Sequence, residues 1–189
     1  MKKPGVERCE EYRQFEKIHA AFCTGDIDPL RAAVDDPAGI PNGPMPPGID
    51  AHLEYAIYHS PRTLIRILLE IGADPRPVDH AGFPPPIAAL SCSLARPGAP
   101  ARTDVIEVLR LLLAFGADPA QRGINDYSAL HMAVSMRNLP AVEMLLAAGA
   151  DAICRTRIDD YETAREMAEA MAWPEMSRLL AAHEGSQGL

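Results

Sequence analysis

Three apolar runs recur along the chain with the periodicity of a helix: Leu64-Ile65-Arg66-Ile67-Leu68-Leu69, Val108-Leu109-Arg110-Leu111-Leu112-Leu113 and Val142-Glu143-Met144-Leu145-Leu146. Each is followed by nearly the same phrase: Gly72-Ala73-Asp74-Pro75, Gly116-Ala117-Asp118-Pro119 and Gly149-Ala150-Asp151-Ala152, spaced 44 and 33 residues apart. A glycine just past an apolar helical run is the residue that accepts the left-handed conformation that ends a helix. Upstream of each run lies a shorter apolar element, clearest in Ser128-Ala129-Leu130-His131-Met132-Ala133. Its other copies are Ile18-His19-Ala20-Ala21, Leu53-Glu54-Tyr55-Ala56, Pro84-Pro85-Pro86-Ile87-Ala88-Ala89 and Thr163-Ala164-Arg165-Glu166-Met167-Ala168. One alanine recurs in every copy, as Ala21, Ala56, Ala89, Ala133 and Ala168, where two helices of a pair must approach closely. The pattern predicts five pairs of helices, each pair too small to bury its apolar stripe alone and therefore stacked on its neighbours.

The copies fall 33, 44 and 35 residues apart when counted from Leu53 to Pro86, Leu130 and Arg165. The excess in the third unit lies between its two helices, at about Leu94 to Arg102, where two prolines and a glycine mark a loop that should be mobile and tolerant of deletion. Between the first and second units, Pro37, Pro41, Pro44, Pro46 and Pro47 predict an extended loop over Pro37 to Asp50.

The phrase around Leu130-His131 resembles the T-P-L-H-x-A signature of the ankyrin repeat, a turn followed by two antiparallel helices in about 33 residues. The resemblance covers roughly residues 15–184. It implies an all-α ankyrin-repeat solenoid of about five helix-turn-helix units, at approximately 15–48, 49–78, 79–122, 123–155 and 156–184. Residues 1–14 would form an N-terminal extension and 185–189 a flexible tail. The outer units would act as caps: the first has no recognisable hairpin before its helix, and the fifth ends in Ala181-Ala182-His183 where earlier units have Gly-Ala-Asp. Several positions depart from the family pattern. The second unit has Ala51-His52-Leu53-Glu54, and the third has Pro86 and Ile87 at the Leu and His positions. Only Ser128 with His131 keeps both groups that tie a turn to its neighbour, so the first two units are expected to be softer.

Composition narrows the function. Hydrophobic residues make up 48% of the 189, which supports a packed core, while 18 prolines exclude one continuous coiled coil. A net charge of -8 and a pI of about 5.2 argue against a surface built for phosphates, so no nucleic-acid partner is expected. No apolar stretch of signal-peptide or membrane-spanning length occurs, which predicts a cytoplasmic protein that engages no membrane. Only Lys2, Lys3 and Lys17 are lysines, a bias of GC-rich and bacterial genomes. The four cysteines, Cys9, Cys23, Cys92 and Cys154, form no CxxC pair, and the six histidines form no HExxH or HxH spacing. No Walker A, GxGxxG or GxSxG motif is present. No metal or other cofactor and no catalytic group is therefore expected.

The family resemblance implies a protein-binding module, a monomer when free, that presents its inner face to another protein as inhibitor, immunity protein or adaptor. The inner face is made by hairpin tips and by the positions just after the alanine of each first helix. Carried over, the helix positions are Tyr58 and His59, Ser91 and Cys92, Ser135 and Met136, and Ala170 and Met171. The hairpin positions are His80 and Phe83, Ile124 and Tyr127, and Asp159, Asp160 and Glu162. The aromatic residues Tyr58, Phe83 and Tyr127 land on this face although rings make up only 5% of the chain. They read as exposed interface anchors, or for Phe83 and Tyr127 as packing for neighbouring turns. The acidic balance points to a partner with a basic patch. A competing reading is a small-molecule or enzymatic site on the same face, built from Cys92 with His59 and His80. Asp159, Asp160 and Glu162 read as a solvated hairpin tip or a cation site. Trp173 covers the end of the core or anchors a partner.

Overall fold

A computed structural model describes residues 4–43, 51–77, 83–95, 101–157 and 161–187. These residues are helical, and strand-like pairing among them is limited to the isolated bridges Arg122–Ser128 and Arg155–Thr163. Among the described residues ten α-helices pair in chain order as α1–α2, α3–α4, α5–α6, α7–α8 and α9–α10, and the pairs group into two compact units, residues 1–81 and 82–189.

In the first unit, α1 (Pro4–Thr24) packs on α2 (Ile27–Ala33), and α3 (His52–His59) packs on α4 (Arg62–Glu70). The two pairs meet through α1 with α3 and α2 with α4. Ile18, Phe22, Leu30, Ala56, Ile57, Leu64, Ile65 and Leu68 are fully buried. α1 begins at Pro4, ahead of the repeat boundary expected near residue 15. The turn at Thr24-Gly25-Asp26 must let α4 come close. Gly25 has φ of +82°, and a Cβ there would lie 2.8 Å from Thr63 Oγ1, which instead donates to the Gly25 carbonyl at 3.2 Å. Asp26 then caps α2 by accepting from the Asp28 N–H.

Of the proline-rich stretch, residues 37–43 are described and 44–50 are not. Its described part is compact: a short turn over Pro37–Gly39 capped by Asp36, then Asn42, whose amide donates to the Gly72 carbonyl (2.8 Å) and accepts from the Asp74 N–H (3.0 Å). A side chain from the loop thereby satisfies backbone groups beyond the end of α4.

The second unit stacks three pairs: α5 (Pro85–Ser91) with α6 (Val105–Ala114), α7 (Ala129–Ser135) with α8 (Leu139–Ala147), and α9 (Ala164–Ala170) with α10 (Pro174–Gln187). The first helices contact one another in series, α5 to α7 to α9, and α6 contacts α8. One core runs through all three pairs, including Ile87, Leu90, Leu109, Leu130, Val134, Val142, Leu145, Met176 and Leu180. The alanines that recur in the sequence, Ala21 and Ala56 in the first unit and Ala89, Ala133 and Ala168 in the second, are all buried. Of the insertion, residues 96–100 lie outside the described structure. Its last residue, Arg102, is docked rather than loose: its N–H donates to the Cys92 carbonyl at 2.8 Å, and its guanidinium clasps Asp104 at 3.0 and 3.1 Å, just ahead of α6. A chain reversal has to be closed at the start of α6, and Arg102 closes it.

The repeated Gly-Ala-Asp phrase has one structural meaning in all three places. Gly72, Gly116 and Gly149 have φ of +98°, +91° and +94°. Past each glycine, the alanine N–H donates back to the last turn: Ala73 to Leu68 (2.8 Å), Ala117 to Leu112 (3.0 Å) and Ala150 to Leu145 (2.9 Å). The glycine N–H bonds in turn to Leu69, Leu113 or Leu146, completing a Schellman cap. The alanine is buried each time, and the aspartate folds the next turn by accepting from the N–H two residues on, at Arg76, Ala120 and Ile153.

Leu112 and Leu145 are fully buried, as the periodicity predicts. Leu145→Ala should lower the unfolding free energy by about 2–5 kcal/mol through lost burial and a residual cavity. Denaturant unfolding checks it, and a change typical of a surface site would contradict the register. Gly149→Ala isolates backbone strain, because nothing lies within 4 Å of a Cβ built there. Chemical denaturation should show a loss of about 1–2 kcal/mol, arising from the left-handed φ alone.

Candidate functional site

The candidate surface in the second unit is the row of hairpin turns with the adjoining first helices. Two of these hairpins are built on helix caps. In α7, Ser128 Oγ accepts from the His131 N–H, and His131 Nδ1 accepts from the Ser128 N–H, a reciprocal box. The Ser128 hydroxyl also lies 2.8 Å from Nδ1. The other ring nitrogen, Nε2, donates to the Glu162 carbonyl of the next hairpin at 3.2 Å. His131 is therefore the neutral Nε2–H tautomer, and burial holds its pKa below the ordinary value even though the Glu162 carbonyl favours the charged form. α9 repeats the box with different chemistry: Thr163 Oγ1 accepts from the Glu166 N–H, and the Glu166 carboxylate accepts from the Thr163 N–H. A carboxylate thus takes the place of the imidazole. The S/T-x-x-E pattern that announces this cap was present in the sequence but was not read there.

The hairpin tips are fixed by arginines. Asn125 and Asp126 both have positive φ, 60° and 58°, as the two central residues of a type I′ turn require. The Tyr127 N–H closes this turn onto Ile124 (3.3 Å), and the Gly123 N–H bonds to the Tyr127 carbonyl (2.8 Å). Arg157 of the following hairpin holds the same tip twice, its N–H donating to the Asn125 carbonyl at 2.7 Å and its guanidinium engaging the Asp126 carboxylate. That guanidinium, first as hydrogen-bond donor and then as a charge, depresses the Asp126 pKa. Arg122 reaches Asp151 at 3.3 Å. Arg155 binds Glu166 through two contacts of 2.8 Å and donates to the Tyr161 carbonyl at 2.7 Å. The Arg157 and Arg122 rungs join residues 31 and 29 apart in sequence, so no local pattern announces them, whereas the Arg155 contacts stay within one hairpin.

The sequence candidates divide as follows. Tyr127 is half-buried, its ring 5.4 Å from that of His131, so it packs on its own turn. Phe83 is half-buried against the core of the second unit rather than standing free. Met136 is half-buried at the C-cap of α7. Glu162 is half-buried, and its carbonyl accepts from both His131 and the Thr156 N–H. Cys92 is buried at the end of α5, with its thiol donating to the Ala88 carbonyl at 3.2 Å. In the first unit, Tyr58 and His59 are half-buried at the end of α3, with His59 packed on Tyr55 and His19. His80, Asp159 and Asp160 lie outside the described residues. Large apolar side chains that face solvent near the turns include Ile124, 60% exposed, Tyr161, 59% exposed, and Ile153, 52% exposed. Ile124 was placed on a hairpin by the sequence, whereas Tyr161 was not singled out. Trp173 packs against the core, as its core-covering reading requires, and Arg137 lies 5.6 Å over its ring.

Among the described residues, no group of three or more His, Cys, Asp or Glu side chains is arranged to hold a metal ion, and no helix is long and apolar enough to cross a membrane.

Residues 101–146 match a family model described as ankyrin repeats (many copies). The match spans α6, the hairpin at Ile124–Asp126, α7 and most of α8, the segment that contains the clearest sequence copy. No curated protein matches the chain.

Ser128→Ala removes the cap of α7 and one partner of His131. Thermal or denaturant unfolding should register a loss of about 1–2 kcal/mol, the upper part of the range for a cap.

Proposed function

We propose that the chain is a non-catalytic protein-binding module that uses the hairpin-tip and inner-helix surface of its second unit. The observation that carries this reading is the pair of exposed apolar side chains, Ile124 and Tyr161, beside turns whose backbone is already tied down by Arg157 and Arg155. A surface held rigid before contact loses little conformational freedom on binding, so apolar anchors on it are worth more. The partial match to ankyrin repeats and the serial packing of α5, α7 and α9 support the same reading. Tyr127 and Glu162 lie on the same hairpins as the anchors, Met136 closes the inner helix α7, and Asp159 and Asp160 belong to the intervening tip in sequence. Phe83, half-buried against the core of the second unit, belongs to the same row of hairpins by its position in sequence. Cys92 contributes packing rather than contact, because its thiol is buried and already bonded. The same burial removes the support for a thiol site of Cys92 with His59 and His80.

The net charge of -8 favours a partner with a basic face, whose association would slow as salt screens the attraction. Inhibition of such a partner, immunity to it or adaptor duty are the roles this surface fits, acting as a monomer in the cytoplasm. The test is to identify a stoichiometric partner from the native source, measure its Kd, and repeat with Ile124→Ser/Tyr161→Ser. Binding should weaken by about 2 kcal/mol or more, roughly 30-fold, with unchanged thermal unfolding. Full-strength binding by the double variant, or a matching fall in stability, would remove these tips as the site.

A further inference from the structure

The first unit holds a cluster of rings and histidines that the binding surface of the second unit does not use. α1 presents Phe15, His19, Phe22 and Cys23, and α3 presents His52, Tyr55 and His59. His19 Nδ1 lies 2.9 Å from the Tyr55 hydroxyl, and its Nε2 lies 3.8 Å from the Cys23 sulfur. The His19 and His59 rings meet edge to face with centroids 5.2 Å apart, and His59 packs on Tyr55 at 4.4 Å. His52 is only 2% exposed, next to Phe22, and its Nδ1 has no hydrogen-bond partner.

A bare Nδ1 on a neutral ring forgoes one acceptor interaction. A proton on that nitrogen would place a charged N–H without an acceptor against Phe22, a far larger penalty. The neighbouring His19 ring, 5.2 Å away, adds to burial in disfavouring a proton on His59. Around these rings α1 brings Cys23, with Glu16 and Lys17 exposed, and α3 brings Tyr55, Tyr58 and the half-buried Glu54. The charged groups of α4, Arg62, Arg66 and Glu70, are exposed, and on α2 Arg31 pairs with Asp28 at 3.6 Å.

We propose that the α1–α3 interface is an acid-released latch, closed at neutral pH and opened when His52 and His59 take up protons. Burial pushes His52 from its ordinary value of 6.5 down to about 4. Burial, followed by the neighbouring His19, lowers His59 as well. Both shifts have the same sign. The closed form binds fewer protons than the open form below pH 6.5. Closure is therefore fully stable above that value and weakens as pH falls from 6.5 toward about 4, where the His52 contribution levels off.

Hydrogen–deuterium exchange of the full chain at pH 7.5 and 5.5, corrected for intrinsic exchange rates, tests the latch through peptides of α1 and α3. Their opening constant should rise about tenfold from His52 alone, and further from the His59 contribution. His52→Leu should abolish the His52 share, and adding His59→Gln should flatten the remainder. Equal opening constants at the two pH values, or a rise that survives the double substitution, overturns the proposal. Should the variants lose helicity, proton NMR of the wild-type histidine rings decides. A His52 ring that stays neutral until α3 opens supports the latch. One that titrates near 6.5 while α3 remains protected overturns it.

Discussion

Every second helix that precedes a Gly-Ala-Asp phrase has to stop at a fixed point, and the left-handed glycine is what stops it. At Gly72, Gly116 and Gly149 a positive φ lets the chain fold back on the last turn, so that two orphaned carbonyls are satisfied by the next two N–H groups. The alanine that follows is then driven into the core, and the aspartate closes the next turn with its own side chain. Without this reversal, the second helices would overrun, and α7 and α9 would not be delivered beside their predecessors. The shared core of the second unit depends on that delivery, because each pair offers only one apolar stripe.

The turns between pairs solve a different problem with different residues. The hairpins must leave some backbone polar groups away from helices, and those groups find partners on the adjacent hairpin. His131 spans to Glu162, and Arg157 spans to Asn125 and Asp126. Where the sequence lacks the histidine, Glu166 completes the cap and Arg155 neutralises it. The chemistry changes while the accounting of donors and acceptors stays closed. A consequence is that the described tip at Asn125 and Asp126 is held from the neighbouring hairpin through both its backbone and its side chain. The first unit is organised otherwise: rings and imidazoles fill the α1–α3 contact, where the Nδ1 of buried His52 has no hydrogen-bond partner.

The helix pairs, their stops, the buried alanines and the buried Leu112 and Leu145 were legible in the sequence, because each depends on contacts within one or two turns of chain. The Thr163–Glu166 cap was equally local and legible by its spacing, although only the Ser128–His131 version was recognised. The candidate surface was legible as positions, not as roles. Tyr127 and Phe83 turned inward onto a neighbouring ring and the core, while Ile124 and Tyr161 remained in solvent. Periodicity identifies which residues share a turn. It does not say which of two nearby apolar side chains finds a covering neighbour.

What the sequence determined by itself was therefore the all-helical, paired architecture and the places where its second helices stop. A helical period, a glycine stop and an aspartate turn act over a few residues and need no knowledge of the rest of the chain. What only the tertiary structure decided was the set of long-range partnerships. Arg157 holds Asp126 across 31 residues, Asn42 satisfies the turn after α4 across 30 and 32, and His19 meets Tyr55 across 36. Each joins groups whose separation along the chain fixes no distance in space. Only the stacking of one helix pair on the next brings them within hydrogen-bonding reach.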